Sequence, residues 1–285
     1  MEQSHITDVS GLIADIVERV RTVSGVEAIV LGGSRARGTQ TPTSDVDLGI
    51  YYDRARPLDI AALARVAADI DDQHRPDAVT PIGEWGPWIN GGGWLTCQNI
   101  PVDFLYRDLD QVSTVINRCL IGEFTHVYQP GHPHGFPSYI YMAEIALCQP
   151  LWDPHNKIAA LKANTVVYPP LLQQAIIKRF FWEADFSLKV ARKGVSRGDV
   201  SYVAGCCFRA VVCLTQTLFA LNEQYWMNEK GAVALAATFS RHPEQFAERI
   251  TGAFGQLSAD PREADSAIDR LETLAHETGI LLDSI

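Results

Sequence analysis

The stretch that most constrains the fold is Val26 to Tyr52, VEAIVLGGSRARGTQTPTSDVDLGIYY. Val26 to Leu31 is short, apolar and rich in β-branched residues, which predicts a strand. Gly32-Gly33 breaks it, Ser34 to Gly38 predicts the start of a short helix, and Thr39 to Ser44, with Pro42, reads as a turn. Asp45 to Tyr52 then alternates, with Val46, Leu48, Ile50 and Tyr52 on one face and Asp45, Asp47 and Gly49 on the other. The stretch therefore predicts two strands joined by a glycine-containing loop, with two carboxylates sharing one face.

These residue types suit phosphate and divalent metal. Glycines let a backbone approach a polyanion, a following helix start presents free amides, and a serine hydroxyl adds a donor. Gly33 and Ser34 lie where these groups are needed. Asp45 and Asp47 supply hard oxygen ligands, which favour magnesium. A third carboxylate would complete such a site. Asp103 sits on a predicted strand, Ile100 to Tyr106, opposite an apolar face of Val102, Phe104 and Tyr106. It is well placed if that strand adjoins Asp45 to Tyr52. Two metal ions about 3.5–4 Å apart would then activate the attacking oxygen and stabilise the leaving pyrophosphate. The bland alternative is a glycine turn followed by a solvent-facing strand. The combination, in this order, favours the chemical reading.

The rest of the chain reads in two parts. Helices are expected over Ile6 to Val23, Leu58 to Ile70, Asp108 to Ile121 and Tyr139 to Leu147. Pro81 to Gly93 and Thr125 to Ser138 read as loops, and Trp94 to Cys97 pairs with Ile100 to Tyr106 through a tight turn at Gln98-Asn99. After about residue 155 the pattern is helical: Leu171 to Lys193, with Gly194 as a cap, then Asp199 to Tyr225, Ala232 to Phe239, Glu244 to Leu257 and Arg262 to Leu282. The expected fold is α+β. A domain over residues 1–155, with a small mixed sheet flanked by helices, precedes an all-helical bundle over residues 156–285.

Charge and cysteine usage narrow the function. The net charge of −10 argues against a general nucleic-acid binder. None of the six cysteines forms a CxxC pair, so buried free thiols are expected rather than zinc. The polar N-terminus MEQSHITDVS is no signal peptide, and no apolar run approaches membrane-spanning length. The chain reads as cytoplasmic, without a membrane partner.

The segment GGSRARGTQTPTSDVDL resembles the signature of the nucleotidyltransferase superfamily related to DNA polymerase beta. That signature is a strand, Gly-Ser, Asp-x-Asp and a third Asp on a later strand. With its helical second part, the chain is similar to the two-domain antibiotic nucleotidyltransferases, such as the kanamycin and lincosamide enzymes. The motif resemblance covers about residues 26–106; that of the helical part rests on architecture. It implies nucleotidyl transfer from a nucleoside triphosphate to a hydroxyl, with Asp45, Asp47 and Asp103 as metal ligands and Ser34, with Ser44 in a similar role, on phosphate. Two magnesium ions and ATP as donor are expected.

Further site candidates are weaker. Arg35 and Arg37 flank the loop; a guanidinium suits phosphate, a surface ion pair is the alternative, and Arg37 is preferred. The helix FFWEADFSLKVARKG resembles the first C-terminal helix of the kanamycin enzyme, whose carboxylate and lysine four residues on match Asp185 and Lys189. Asp185 would be the general base, with Glu183 as the alternative; an exposed ion pair is the competing reading. Lys230 could contact the triphosphate or simply be a solvated loop lysine. His126, His132 and His134 are rejected as a magnesium site because imidazole is the wrong ligand type. Core packing is expected for Trp85, Trp88 and Trp94, with a substrate-lining role as the second reading.

The expected activity is transfer of a nucleoside monophosphate to a small-molecule hydroxyl, with an aminoglycoside-like antibiotic as a candidate acceptor and antibiotic resistance as the biological setting. The alternatives are nucleotidylation of a protein or an RNA 3′ end, and a non-catalytic nucleotide-binding module. A homodimer is compatible with each.

Overall fold

A computed structural model describes residues 9–283. The chain divides into two compact units. One holds the chain up to Arg118 with Phe124–Gly131 and Phe136–Val167; the other holds Cys119–Glu123, His132–Gly135 and the chain from Tyr168 on.

The first unit opens with α1 (Ser10–Val20), which buries Leu12, Ile16, Val17 and Val20 at helical spacing. Ile6, expected in the same helix, lies outside the described residues. β1 (Val26–Leu31) is buried throughout. α2 (Gly33–Ala36) is a single turn, followed by β2 (Val46–Tyr52) and α3 (Ile60–Ile70), whose cap Asp59 accepts from the Ala62 N–H. β3 (Gly92–Cys97) and β4 (Ile100–Asp108) form the expected hairpin. Gln98 and Asn99 both have positive φ, 54° and 62°, as a two-residue hairpin turn of the primed type requires. α4 (Leu109–Leu120), β5 (His126–Val127), β6 (Phe136–Pro137), α5 (Ile140–Leu147), β7 (Gln149–Trp152) and α6 (Lys157–Ala163) complete the unit's elements.

The main sheet has the order β3-β4-β2-β1-β7. β2 and β4 run parallel, and every other neighbouring pair is antiparallel. Its apolar face carries Ile29, Leu31, Val46, Leu48, Ile50, Val102, Phe104 and Leu95, in one core with Ile16, Val20, Leu63 and Ala67 of α1 and α3. At one end the opposite face carries a buried ion pair, Arg107 of β4 with Glu144 of α5, made through hydrogen bonds of 2.7 and 2.5 Å. At the other end that face presents Asp47, Asp103 and Trp94.

Three local expectations are corrected here. The segment 125–138 is not all loop, because β5 and β6 pair within it. β7 and α6 were not expected. β7 is four residues including Pro150, too short to show alternation, and sits at the sheet edge where proline is tolerated. α6 is a seven-residue helix, too short to show a helical period.

The helical unit contains α7 (Pro170–Val195), α8 (Val200–Leu221), α9 (Ala232–Ala236), α10 (Phe246–Gly255) and α11 (Pro261–Leu282). Pro170 and Pro261 sit in the first turns of α7 and α11, where a missing N–H costs nothing. Gly194 does not cap α7: it lies inside the helix, where an added Cβ would come 2.9 Å from Val203 and 3.0 Å from Tyr202. Its role is close packing of α7 on α8. Contrary to the expectation that no apolar run approaches membrane-spanning length, α8, at 22 residues, is long and apolar enough to cross a membrane. In the fold 72% of its apolar window is buried, which fits the core helix of a bundle. Five of the six cysteines are buried and Cys206 is partly so; all are free thiols, as expected.

Candidate active site

One row of residues crosses the sheet at a single level. The N–H of Gly32, just past the end of β1, donates to the Asp47 carbonyl at 2.8 Å. Asp47 of β2 stands opposite Asp103 of β4, and Asp103 stands opposite Trp94 of β3. Directly paired residues project from the same face of a sheet. The row therefore runs glycine loop, carboxylate, carboxylate, indole. Asp45, one residue before β2, has the same parity as Asp47. The three aspartates, all half-buried, each offer an oxygen within 4.8 Å of the others. Such a set of hard oxygens fits a divalent cation bound through carboxylates.

The glycine loop is shaped by its closeness to this set. Gly33 has φ +60°, and a Cβ placed there would lie 1.7 Å from Asp47 Oδ2. Only glycine allows both that conformation and that approach. Arg35 joins the two halves of the motif, its Nε donating to the Asp45 carbonyl at 2.8 Å and an Nη to the Ser44 carbonyl at 2.6 Å. The guanidinium thus fixes the backbone that leads into the carboxylates. Arg37 is exposed and donates to the Gly33 carbonyl at 3.2 Å. Ser34 is half-buried in α2. The Ser44 hydroxyl accepts from the Thr41 N–H at 2.9 Å and closes the turn before β2.

The remaining candidates lie in the helical unit. Asp185 and Lys189 form an exposed pair on α7, 2.5 Å apart. Glu183 is buried and clamped by Arg179, at 2.6 Å, and by Arg209. Both Glu183 oxygens are thus held by guanidinium groups, whereas the Asp185 carboxylate is exposed. Lys230 is exposed in a turn, its N–H bonded to Asn228. His134, Glu183 and Cys213 offer ligand atoms within 4.8 Å of one another. His134 Nε2 lies 3.6 Å from Cys213 Sγ, and burial raises the Cys213 thiol pKa. With Glu183 already bound by two arginines, the group reads as a buried polar network.

Core packing was expected for Trp94, with a substrate-lining role as the second reading; the side chain is 62% exposed. A signal for its position was present. A two-residue turn at Gln98-Asn99 fixes Cys97 opposite Ile100, and counting back puts Trp94 opposite Asp103. The positioning role of Arg35 carried no comparable signal.

Residues 13–91 match a family model described as a nucleotidyltransferase domain. The match spans the glycine loop with Asp45 and Asp47, and Asp103 lies beyond it. No curated protein matches the chain. Among solved structures the chain is similar to a nucleotidyltransferase-like protein from Exiguobacterium sibiricum 255-15, at 10% identity, covering 95% of this chain and 78% of that one, with a TM-score of 0.44. A likeness that distant has no bearing on activity. The glycine loop and the Asp45–Asp47 pair thus lie inside the segment of the first unit that matches a nucleotidyltransferase domain.

Proposed function

We propose that this protein transfers a nucleoside monophosphate from a nucleoside triphosphate, with ATP as donor and magnesium as metal, to a hydroxyl of a small molecule. The acceptor oxygen attacks the α-phosphorus and the bond from that phosphorus to the bridging oxygen of the departing pyrophosphate breaks. The acceptor proton passes to a base. The observation that carries this reading is the register of Asp47 against Asp103, which gathers three carboxylates beside a loop that only glycine can form.

Each residue has a role in this scheme. Asp45, Asp47 and Asp103 would hold the magnesium ions. When bound, such ions polarise phosphoryl oxygens and ease ionisation of a hydroxyl. Gly32 and Gly33 admit the phosphates close to the backbone, and the Ser34 hydroxyl donates to them. Asp185 is assigned the proton, with Lys189, Arg37 and Lys230 as phosphate contacts. A net charge of −10 fits a small cationic acceptor better than RNA.

The test is pyrophosphate release by the purified protein with each nucleoside triphosphate, magnesium and a panel of hydroxylated acceptors. Turnover that vanishes in Asp47→Asn and Asp103→Asn supports the reading. No turnover and no triphosphate binding across the panel refutes it.

A further inference from the structure

We infer that the acceptor presents a flat ring face, and that Trp94 is the surface on which this ring stacks. The inference rests on the transfer reading above and adds the class of acceptor: a cyclic molecule, sugar-like or aromatic, bearing its hydroxyl on or beside the ring.

The row across the sheet has a direction. Its β1 end is the glycine loop, so the phosphates that leave belong there. In an in-line displacement the attacking oxygen lies opposite the leaving oxygen. The acceptor therefore enters from the other end of the row, past Asp103. The next side chain in that direction is Trp94, directly paired with Asp103. Paired Cβ atoms in an antiparallel ladder stand about 4.5–5.5 Å apart. An oxygen bound at Asp103 thus places its own carbon framework over the indole.

The indole is held in place for this contact. Trp85 stacks on Trp94 with ring centroids 4.4 Å apart and planes inclined by 24°. Gly92, two residues earlier on β3, lies close to both β4 and this ring: a Cβ there would come 1.8 Å from the Phe104 carbonyl oxygen and 2.9 Å from the Trp85 ring. The backbone of β3 is also tied to the Asp71–Arg75 segment, since Arg75 donates to the Trp94 carbonyl at 2.7 Å and the Thr96 N–H donates to Asp71 at 2.9 Å. An aromatic side chain that is 62% exposed, braced from behind and paired with a metal-site carboxylate is built to receive a ring. Charge density at the carboxylates and a π surface beside them together favour a hydroxylated ring over an extended chain.

The experiment compares cyclic acceptors (aminocyclitols, pyranosides, nucleosides) with linear polyols and amino-polyols of matched hydroxyl content, in wild type, Trp94→Phe and Trp94→Ala. Pyrophosphate release is expected with cyclic acceptors. Trp94→Ala should raise the acceptor KM about tenfold or more while changing the triphosphate KM less than about twofold, and Trp94→Phe should retain most of the binding. Whether sugar or aromatic acceptors turn over distinguishes the two sources of a ring face. An unchanged acceptor KM in Trp94→Ala, equal use of linear acceptors, or a rise confined to the triphosphate KM overturns the inference; the last would assign the indole to the nucleobase. If wild type releases pyrophosphate with none of the acceptors and binds no triphosphate, the transfer reading fails by itself. Stacking is then decided by fluorescence titration of the same ring compounds with magnesium and a non-hydrolysable triphosphate. Quenching in wild type that is missing in Trp94→Phe sustains it, and identical curves refute it.

Discussion

Asp47 and Asp103 face each other across the parallel strands β2 and β4, although 55 positions separate them in the sequence. Together with Asp45 they concentrate like charge on a few ångströms of sheet. Unless cations bind there, that arrangement is destabilising. Neutralising one member, as in Asp47→Asn or Asp103→Asn, should therefore leave the melting temperature of the metal-free protein unchanged or raise it. The same changes should lower kcat/KM by about two to four orders of magnitude. Thermal scans with and without magnesium, alongside pyrophosphate release, check both. Magnesium should stabilise wild type and have little effect on the variants.

Gly33→Ala and Gly38→Ala separate backbone strain from collision. Both residues have positive φ, at 60° and 68°. A Cβ at Gly38 meets no atom within 4 Å, whereas one at Gly33 overlaps the Asp47 carboxylate. Gly38→Ala should lose only about 1 kcal/mol of stability and stay active. Gly33→Ala should lose more stability and nearly all triphosphate binding, as read by urea unfolding and nucleotide titration.

The Arg107–Glu144 pair is buried at 3% and 17% side-chain exposure. Removing one partner strands a charge, so Arg107→Met or Glu144→Met alone should lose about 3–5 kcal/mol, and the double variant should recover much of it. Chemical denaturation of the four proteins forms the cycle.

Asp71 anchors the end of α3 to β3 and carries a prediction for pH. Hydrogen bonds from Arg75 and from the Thr96 N–H hold its pKa well below the usual carboxylate range. A lowered folded-state pKa contributes stability above the ordinary carboxylate pKa, and that stability is lost as pH falls through the folded value. Stability should therefore drop on acidification below about pH 4. Asp71→Asn should show a lower melting temperature at neutral pH and a shallower acid decline, measured by circular dichroism.

Asp185→Asn tests the proposed base. The Asp185–Lys189 pair is an exposed pair of neighbours on one helix, so its loss should shift the melting temperature by only about a degree. A fall in kcat of about a hundredfold or more at unchanged melting temperature would mark a chemical role. Full activity would leave the proton to another group.

The sequence by itself determined the local parts of this protein. The strand, glycine break and Asp-x-Asp alternation follow from short-range sterics and a period of two, and β1 and β2 form where those rules place them. The Gln98-Asn99 turn likewise fixed the pairing of Trp94 with Asp103, because a two-residue hairpin has one register. Short elements without a full period, β7 and α6, carried no such signal. Tertiary structure decided which strands became neighbours. It placed β4 beside β2 with Asp103 level with Asp47, because one buried face of Val46, Leu48, Ile50, Val102 and Phe104 had to pack against α1 and α3. A shift of one residue would turn the carboxylates into that core. Tertiary structure also left Trp94 in solvent while enclosing Glu183, since exposure depends on what packs over a side chain rather than on the residues beside it in sequence.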